Sequence, residues 1–221
     1  MIAIISFMLL ALVLGFKHSY DSDHLIAVSN ILRKVDSVKS SIKVGFSWAI
    51  GHMITAAVIT IILFIFRESF LKNILPHFEK IVGIMLIALG LLSLRELFSL
   101  HSHRHRHGGL VHSHPHIHIK KYHEKNHAHV HMFGLGIIHG LASNDELLIL
   151  FTASLAVTSL GGLIVALGIF SFGVVLGMLF FTIIFSYPLI KMNSEKIYKF
   201  VSFGTGSAGI IYGILMLFAV I

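Results

Sequence analysis

The sequence contains no cysteine and few charged residues. Without cysteine, disulfides, thiolate nucleophiles and cysteine-bound zinc or iron–sulfur sites are excluded, so any metal site must use nitrogen and oxygen ligands. Only 12% of the 221 residues are charged, whereas 56% are hydrophobic. Several apolar stretches have the length of about 20 residues that crosses a bilayer. The composition therefore predicts an integral membrane protein.

Six apolar windows divide the chain and predict an all-α, polytopic membrane protein with six transmembrane helices. The windows lie at residues 2–29, 44–66, 79–98, 133–157, 161–187 and 199–220. The first window lacks the basic start and the small-residue cleavage site of a signal peptide, so we expect it to be retained. We divide the chain into a first three-helix repeat (1–98), a His-rich loop (99–132) and a second three-helix repeat (133–221).

Basic residues set the predicted orientation. Apart from Arg67, Lys72 and Lys80, the Lys and Arg of the connections lie on the side shared by the loops near 30–43, 95–132 and 188–199. By the positive-inside rule that side is cytoplasmic. We therefore expect a protein of the cell membrane with both termini outside and the His-rich loop in the cytoplasm. The basic residues form no binding stripe, so we expect no nucleic-acid partner.

The two halves of the chain resemble each other. "GFKHSYDSDHL" (15–25) aligns without gaps on "GIIHGLASNDE" (136–146), and "GFSWAIGH" (45–52) matches "IFSFGVVL" (169–176) more faintly. The first alignment pairs Gly15 with Gly136, His18 with His139, Ser22 with Ser143, Asp23 with Asn144 and His24 with Asp145. Together the matches predict a 3+3 repeat, which is inverted because each unit has an odd number of spans. Such folds place the substrate site near the bilayer midplane.

Four ionisable residues, His18, Asp21, Asp23 and His24, lie at the end of an apolar run. At about 100° per residue, His18, Asp21 and His24 share one stripe of a regular helix and Asp23 points elsewhere. A metal bound by His18, Asp23 and His24 therefore requires unwinding near residues 19–22, as in the broken helices of transporters. Imidazole and carboxylate ligands suit nickel or cobalt, with zinc or copper as alternatives. The simpler interpretation, a hydrogen-bond network in which Lys17 neutralises Asp21, is less favoured because charge in a bilayer is costly.

Further candidates lie in later windows. His52 is a candidate third ligand, against the alternative of a core histidine bonded to a carbonyl. A second polar cluster would line the ion's path or touch the ion, and it consists of His139, Ser143, Asn144, Asp145 and Glu146. His77 lies beside Pro76 in a connection, and we assign it no role.

The His-rich loop holds most of the 17 histidines of the chain. Its composition cannot build a core, so we expect disorder without metal. Many weak imidazole pairs suit gathering, buffering or sensing a metal better than selecting one; the alternative is a solvated linker. These auxiliary candidates are His101, His103, His105, His107, His112, His114, His116, His118, His123, His127, His129 and His131.

"HSYDSDHLIAVSN" resembles the signature of the nickel/cobalt transporter family, and "FSWAIGHMI" resembles the next helix of that family. The resemblance implies that His18, Asp21, Asp23 and His24 select the metal, assisted by His52. "GIIHGLASNDELL" is similar to the compact six-span relatives of the urease-accessory nickel transporter type. The His-rich loop also resembles that of nickel/cobalt exporters.

We therefore predict a secondary transporter that takes up nickel or cobalt. It is not expected to be an enzyme or to hold a resident cofactor, because the ion is its substrate. An exporter of nickel, cobalt or zinc is the first alternative, followed by a membrane haem redox protein and then a membrane metallo-hydrolase or desaturase. The expected partners are the divalent metal ion, the lipid bilayer and cytoplasmic metal-accepting proteins. The sequence leaves the oligomeric state open.

Overall fold

The computed structural model describes residues 2–66, 75–98, 101–107, 110–116, 128–142, 160–192 and 194–218. Over these ranges the chain forms seven helices and one β-hairpin. The helices are α1 (Ile2–His18), α2 (Ser22–Leu32), α3 (Val38–Phe66), α4 (Leu75–Phe98), α5 (Ala128–Ala142), α6 (Leu160–Met192) and α7 (Glu195–Leu217). The strands are β1 (His101–His107) and β2 (Leu110–His116).

Four helices of the described part are long and apolar enough to cross a membrane. These segments are Val38–Ile62, His77–Leu97, Gly161–Met192 and Glu195–Leu217, and shorter apolar helices cover Ile5–His18 and His131–Leu141. Large apolar side chains such as Phe172 and Phe203 are exposed on the outside of the protein, as contact with lipid requires. The fold agrees with the predicted helical, multi-pass membrane protein. The count of six spans stays a prediction, because part of the fourth window lies outside the described residues.

The first predicted span is broken into α1 and α2. Residues 19–21 form a tight turn, in which the amides of Tyr20 and Asp21 donate to the carbonyls of Lys17 and His18 at 2.9 and 3.1 Å. Asp21 is extended (φ −62°, ψ 145°) and α2 begins directly after it. The Ser19 hydroxyl donates to the Phe16 carbonyl at 2.7 Å and helps to end α1. A regular helix across His18, Asp21 and His24 is therefore wrong, and the chain unwinds within residues 19–22.

Helices α1 and α6 approach each other closely through glycine. A Cβ on Gly15 would overlap the Phe170 carbonyl, and a Cβ on Gly177 would lie 2.9 Å from the Phe16 carbonyl and overlap the Ser19 hydroxyl. Small residues permit such backbone contact between membrane helices. The contacts advance in the same direction along both helices, so α1 and α6 are parallel.

Helices α3 and α5 form a second close pair. A Cβ on Gly136 would overlap the Trp48 carbonyl, and a Cβ on Gly140, one turn later, would overlap the His52 carbonyl, also one turn later. These helices are therefore parallel, like α1 and α6. The pairing fixes the backbone of the α3 turn between Trp48 and His52 against α5.

Helices α4 and α7 form a third pair, which is antiparallel. A Cβ on Gly83 would lie 2.9 Å from the Gly213 carbonyl, and a Cβ on Gly90 would lie 2.5 Å from the Gly206 carbonyl. The position on α7 thus falls as the position on α4 rises. The glycines permit backbone-to-backbone packing, which can stabilise helix pairs in lipid by van der Waals contact.

The His-rich loop contains an antiparallel hairpin, where we had expected no regular structure. In its register His101 lies opposite His116, His103 opposite His114, and His105 opposite His112. The alternating sequence has the two-residue period of a β-strand, so a backbone ladder can form where no core is available. The structure thus differs from our expectation of disorder at residues 101–107 and 110–116.

Candidate metal centre

Three histidines from three helices converge at the break between α1 and α2. His18 ends α1, His24 lies in the first turn of α2, and His52 lies within α3; all three are buried. One nitrogen from each ring lies within 4.8 Å of the other two, and among the described residues this is the group able to hold a metal ion. The Nε2 atoms of His18 and His52 are 3.2 Å apart. Two nitrogens on one ion at about 2.1 Å would be separated by about 3.0 to 3.4 Å, depending on geometry.

The break itself positions His24. The ending of α1 leaves the His18 carbonyl available to groups beyond the helix. That carbonyl accepts hydrogen bonds from the Asp21 amide at 3.1 Å and from His24 Nδ1 at 2.9 Å. Because a carbonyl can only accept, His24 carries its proton on Nδ1, and Nε2 has the lone pair that a metal requires.

Asp21 fixes His18 in the same way. Its Oδ2 accepts a hydrogen bond from His18 Nδ1 at 2.8 Å, so the lone pair of His18 is on Nε2, which faces His52. Carboxylates commonly hold ligating histidines in this manner. Asp21 also lies 3.7 Å from Lys17 Nζ, so the ion pair of the simpler interpretation is present as well. The structure thus places Asp21 behind His18 and not among the converging nitrogens.

Asp23 faces two imidazoles. Its Oδ2 lies 3.7 Å from His24 Nε2 and 3.9 Å from His139 Nε2. Both separations are too long for hydrogen bonds. The side chain of Asp23 is only 12% exposed, so this carboxylate is held inside the protein beside the histidines. A cation between these atoms would be attracted to the carboxylate and could bind the nitrogens.

His139 of α5 brings the second half of the chain to the same place. It is buried, and its ring centroid lies 5.4 Å from that of His24. The rest of the predicted second cluster, Ser143, Asn144, Asp145 and Glu146, lies outside the described residues.

Aromatic residues that the sequence did not single out enclose the site. The Trp48 ring stacks on that of His52, with centroids 4.9 Å apart and an interplanar angle of 14°. Phe170 of α6 lies 5.6 Å from the His18 ring. The position of Trp48 one helical turn before His52 was a signal for this stack, since residues four apart share a helix face.

The other histidines that the sequence singled out belong to the His-rich loop. His118, His123 and His127 lie outside the described residues, and His131 is exposed on α5. A metal-gathering role for these histidines stays a prediction.

The chain is similar in sequence to an accessory protein of urease and to nickel transporters. No family model and no solved structure matches the chain. The chain is 30% identical over 194 residues to the urease accessory protein UreH of Bacillus sp. (strain TB-90). The aligned region covers 88% of this chain and 82% of UreH. It is 34% identical over 101 residues to the nickel transporter NixA of Staphylococcus aureus, which covers 42% of this chain and 30% of the relative.

A third relative is the high-affinity nickel-transport protein NixA of Helicobacter pylori (strain ATCC 700392 / 26695), 30% identical over 113 residues, which are 46% of this chain and 34% of that protein. The chain thus spans about a third of each of these NixA proteins and most of UreH. These relatives are transporters and an accessory protein, in agreement with the prediction that the chain is not an enzyme. Since the match to UreH extends over most of both proteins, the chain belongs to the nickel/cobalt transporter family.

Proposed function

We propose that the protein is a secondary transporter that takes up nickel or cobalt ions through the site at the break between α1 and α2. The observation that carries the proposal is the convergence of His18, His24 and His52, buried, with ring nitrogens close enough to share one ion. The nickel transporters among the relatives support the same substrate class.

The donor set favours a transition metal. His18, His24 and His52 supply imidazole nitrogens, and Asp23 supplies the nearest carboxylate. Imidazole is preferred by nickel, cobalt, zinc and copper, whereas magnesium and calcium prefer oxygen. We assign Asp23 to the ion and Asp21 to the orientation of His18. His139, 3.9 Å from the Asp23 carboxylate, would be the next group that an ion meets on leaving.

The membrane potential is sufficient to drive uptake. A divalent cation entering a negative interior gains about 4.6 kcal/mol per 100 mV, twice the value for one charge. In our proposed orientation the His-rich loop is cytoplasmic, where it would gather the delivered metal, and both termini are outside. No nucleotide site is required for this mechanism.

A 3+3 inverted repeat is supported by the glycine contacts between helices, because contacts made by glycines of one half have counterparts made by glycines of the other half. The contact of Gly15 in α1 with Phe170 in α6 has its counterpart in the contact of Gly136 in α5 with Trp48 in α3. Helices α4 and α7 show the same correspondence: the contact of Gly83 in α4 with Gly213 in α7 has its counterpart in the contact of Gly206 in α7 with Gly90 in α4. Two parallel pairs and one antiparallel pair are what six alternating spans require when the third and sixth pack together.

The glycine contacts and the sequence match align α3 with α6, the second helix of each half, in different registers. The contacts relate Trp48 to Phe170, whereas the match paired Trp48 with Phe172, so the registers differ by two residues. In the register of the contacts, His52 corresponds to Val174, a buried apolar residue. The second half therefore lacks a counterpart of His52, which favours one asymmetric ion site over two equivalent sites.

Uptake of nickel into proteoliposomes tests the proposal. Wild type should show saturable uptake driven by a negative interior, and His18→Ala should abolish it because the site loses a nitrogen from its centre. His77→Ala is the matched control, since the same substitution at His77 removes no proposed ligand, and it should transport like wild type. Wild-type transport by His18→Ala would overturn the assignment.

Direction is tested in cells that express the protein. Under our proposal they accumulate nickel or cobalt and become more sensitive to it. Lower accumulation together with resistance would instead identify an exporter with the same ion site.

A further inference from the structure

The three converging imidazoles are not held in the same way. His18 and His24 each use Nδ1 for a hydrogen bond, to Asp21 and to the His18 carbonyl respectively. His52 Nδ1 is buried and has no hydrogen-bond partner in the described part of the protein. Metal-ligating histidines almost always donate from their second nitrogen, and that bond fixes the ring. His52 Nε2 contacts His18 Nε2 at 3.2 Å, but an ion between the two nitrogens would replace that contact. Another contact must therefore hold the His52 ring when it binds a metal.

Trp48 is the group in contact with the face of this ring. The planes of the two rings are nearly parallel, with an interplanar angle of 14°, and their centroids are 4.9 Å apart. Trp48 is itself buried and also packs at 4.8 Å from the His24 ring and at 5.6 Å from the His139 ring, with steep angles of 63° and 66°. The indole thus contacts three imidazoles of the site, but it stacks on His52 alone.

The backbone beneath the stack is held by the second half of the chain. Gly136 packs on the Trp48 carbonyl and Gly140 on the His52 carbonyl, so α5 closes over this turn of α3. With both backbones fixed, side-chain rotation is the remaining freedom of His52. A flat aromatic surface against the imidazole restricts that rotation.

We propose that Trp48 is the positioning residue for His52: its indole plane replaces the missing hydrogen bond and keeps Nε2 of His52 directed at His18. The inference depends on the proposed function, because it assumes that His52 binds the transported ion. It follows that His52, without an acceptor at Nδ1, depends on stacking for its geometry. Trp48 also becomes an internal reporter, since it is the one tryptophan of the chain.

The test is Co²⁺ binding to the purified full-length protein, followed by the visible absorption of the bound ion. Trp48→Phe keeps an aromatic plane and should preserve affinity and spectrum within about threefold. Trp48→Leu removes the plane and should weaken Co²⁺ binding by about tenfold, the lower end for groups that orient a ligand. Its spectrum should become that of His52→Ala, because the same nitrogen is lost from the ion. Phe172→Leu, an exposed aromatic position on α6, is the control for loss of an aromatic side chain elsewhere.

The double variant Trp48→Leu/His52→Ala separates positioning from general stability. If Trp48 acts through His52, the double variant binds Co²⁺ no more weakly than His52→Ala, whereas Trp48→Leu/His24→Ala is weaker than His24→Ala. If the double variant loses Co²⁺ affinity by the product of the two single losses, the inference is overturned. A Trp48→Leu protein with wild-type affinity and spectrum would overturn it as well. Trp48→Met provides a second non-aromatic variant, and the same outcomes apply to it if Trp48→Leu does not purify as folded protein.

Fluorescence gives an independent measurement on the wild type. Ni²⁺ should quench the Trp48 emission saturably, with a midpoint equal to that of its own binding. Absence of quenching while Ni²⁺ is bound would contradict the placement of the indole against the ion site. If the wild type binds neither Co²⁺ nor Ni²⁺, the proposed function is wrong. If it binds both ions and the Trp48 variants bind them like wild type, the proposed function stands and only the role of Trp48 is wrong.

Discussion

Two polar clusters lie at the two ends of α2, and they are built on opposite principles. Directly after its last residue, Arg33, with a side chain 1% exposed, forms an ion pair with Glu96 at 2.9 Å. The same guanidinium donates to the Tyr198 hydroxyl at 2.6 Å and to the Ser202 hydroxyl at 3.1 Å. Lys34 also pairs with Glu96. This cluster joins the end of α2 to α4 and α7 through charges that the protein supplies itself.

The cluster at the beginning of α2 has the Asp23 carboxylate and four imidazoles, and none of the described lysine and arginine side chains forms an ion pair with Asp23. Here the Nε2 atoms of His18 and His52 face each other. The Asp23 carboxylate faces the Nε2 atoms of His24 and His139. His52 Nδ1 is also buried without a hydrogen-bond partner in the described structure. A buried cluster with its own cation is complete, whereas one with lone pairs and a carboxylate is suited to receive a cation.

The largest effect on stability is expected from the complete cluster. Glu96→Gln leaves the buried Arg33 charge with neutral hydrogen-bond acceptors and no carboxylate. Unpairing a buried charge costs about 3–5 kcal/mol, and we expect the lower value because the Glu96 side chain is 37% exposed. Thermal unfolding in detergent should show this loss, and the affinity for Co²⁺ should stay unchanged.

The matched control for that experiment is Glu195→Gln. Glu195 pairs with Lys199 at 2.7 Å one turn away, but both side chains are exposed. Such a surface pair contributes less than about 1 kcal/mol. A loss of Co²⁺ affinity in Glu96→Gln would contradict the separation of the two clusters.

The next effect is expected at the ion site and should appear in affinity. Asp21→Asn keeps an oxygen for His18 Nδ1 but removes the negative charge that makes the imidazole a better ligand. Loss of such a partner costs about 10- to 100-fold in metal affinity, or about 1.4–2.7 kcal/mol. Isothermal titration with Ni²⁺ measures it, with Asp36→Asn in the connection after α2 as control. Equal affinities of Asp21→Asn and wild type would remove Asp21 from the site.

The smallest effect is expected from the His-rich loop. Removing residues 101–127 leaves α5, which begins at Ala128, and all the converging side chains in place. We expect uptake to fall less than tenfold at scarce metal and to match wild type at saturating metal, since the loop gathers ions but does not select them. Complete loss of uptake at saturating metal would mean that the loop contains the selecting site.

The sequence predicted the candidate ligands better than their arrangement. His18, His24 and His52 were identified because ionisable side chains near an apolar span are costly and need a function. The different positions of Asp21 and Asp23 followed from the break in the helix, which local spacing presented only as one of two alternatives. Trp48 was missed because its only signal was its position one turn before His52, and an aromatic residue at that spacing in an apolar helix can equally belong to the core.

The order of the residues was sufficient to predict the apolar helices, the nitrogen and oxygen ligands of the site and the resemblance between the two halves of the chain, because composition and spacing are local properties. Packing determines which nitrogens face each other, that Asp21 lies behind His18, and that Trp48 corresponds to Phe170 in the glycine contacts of the two halves. These features depend on where α1 ends and on how closely α5 and α6 approach their partners. Packing between distant segments sets both, so neither can be obtained from the order of the residues alone.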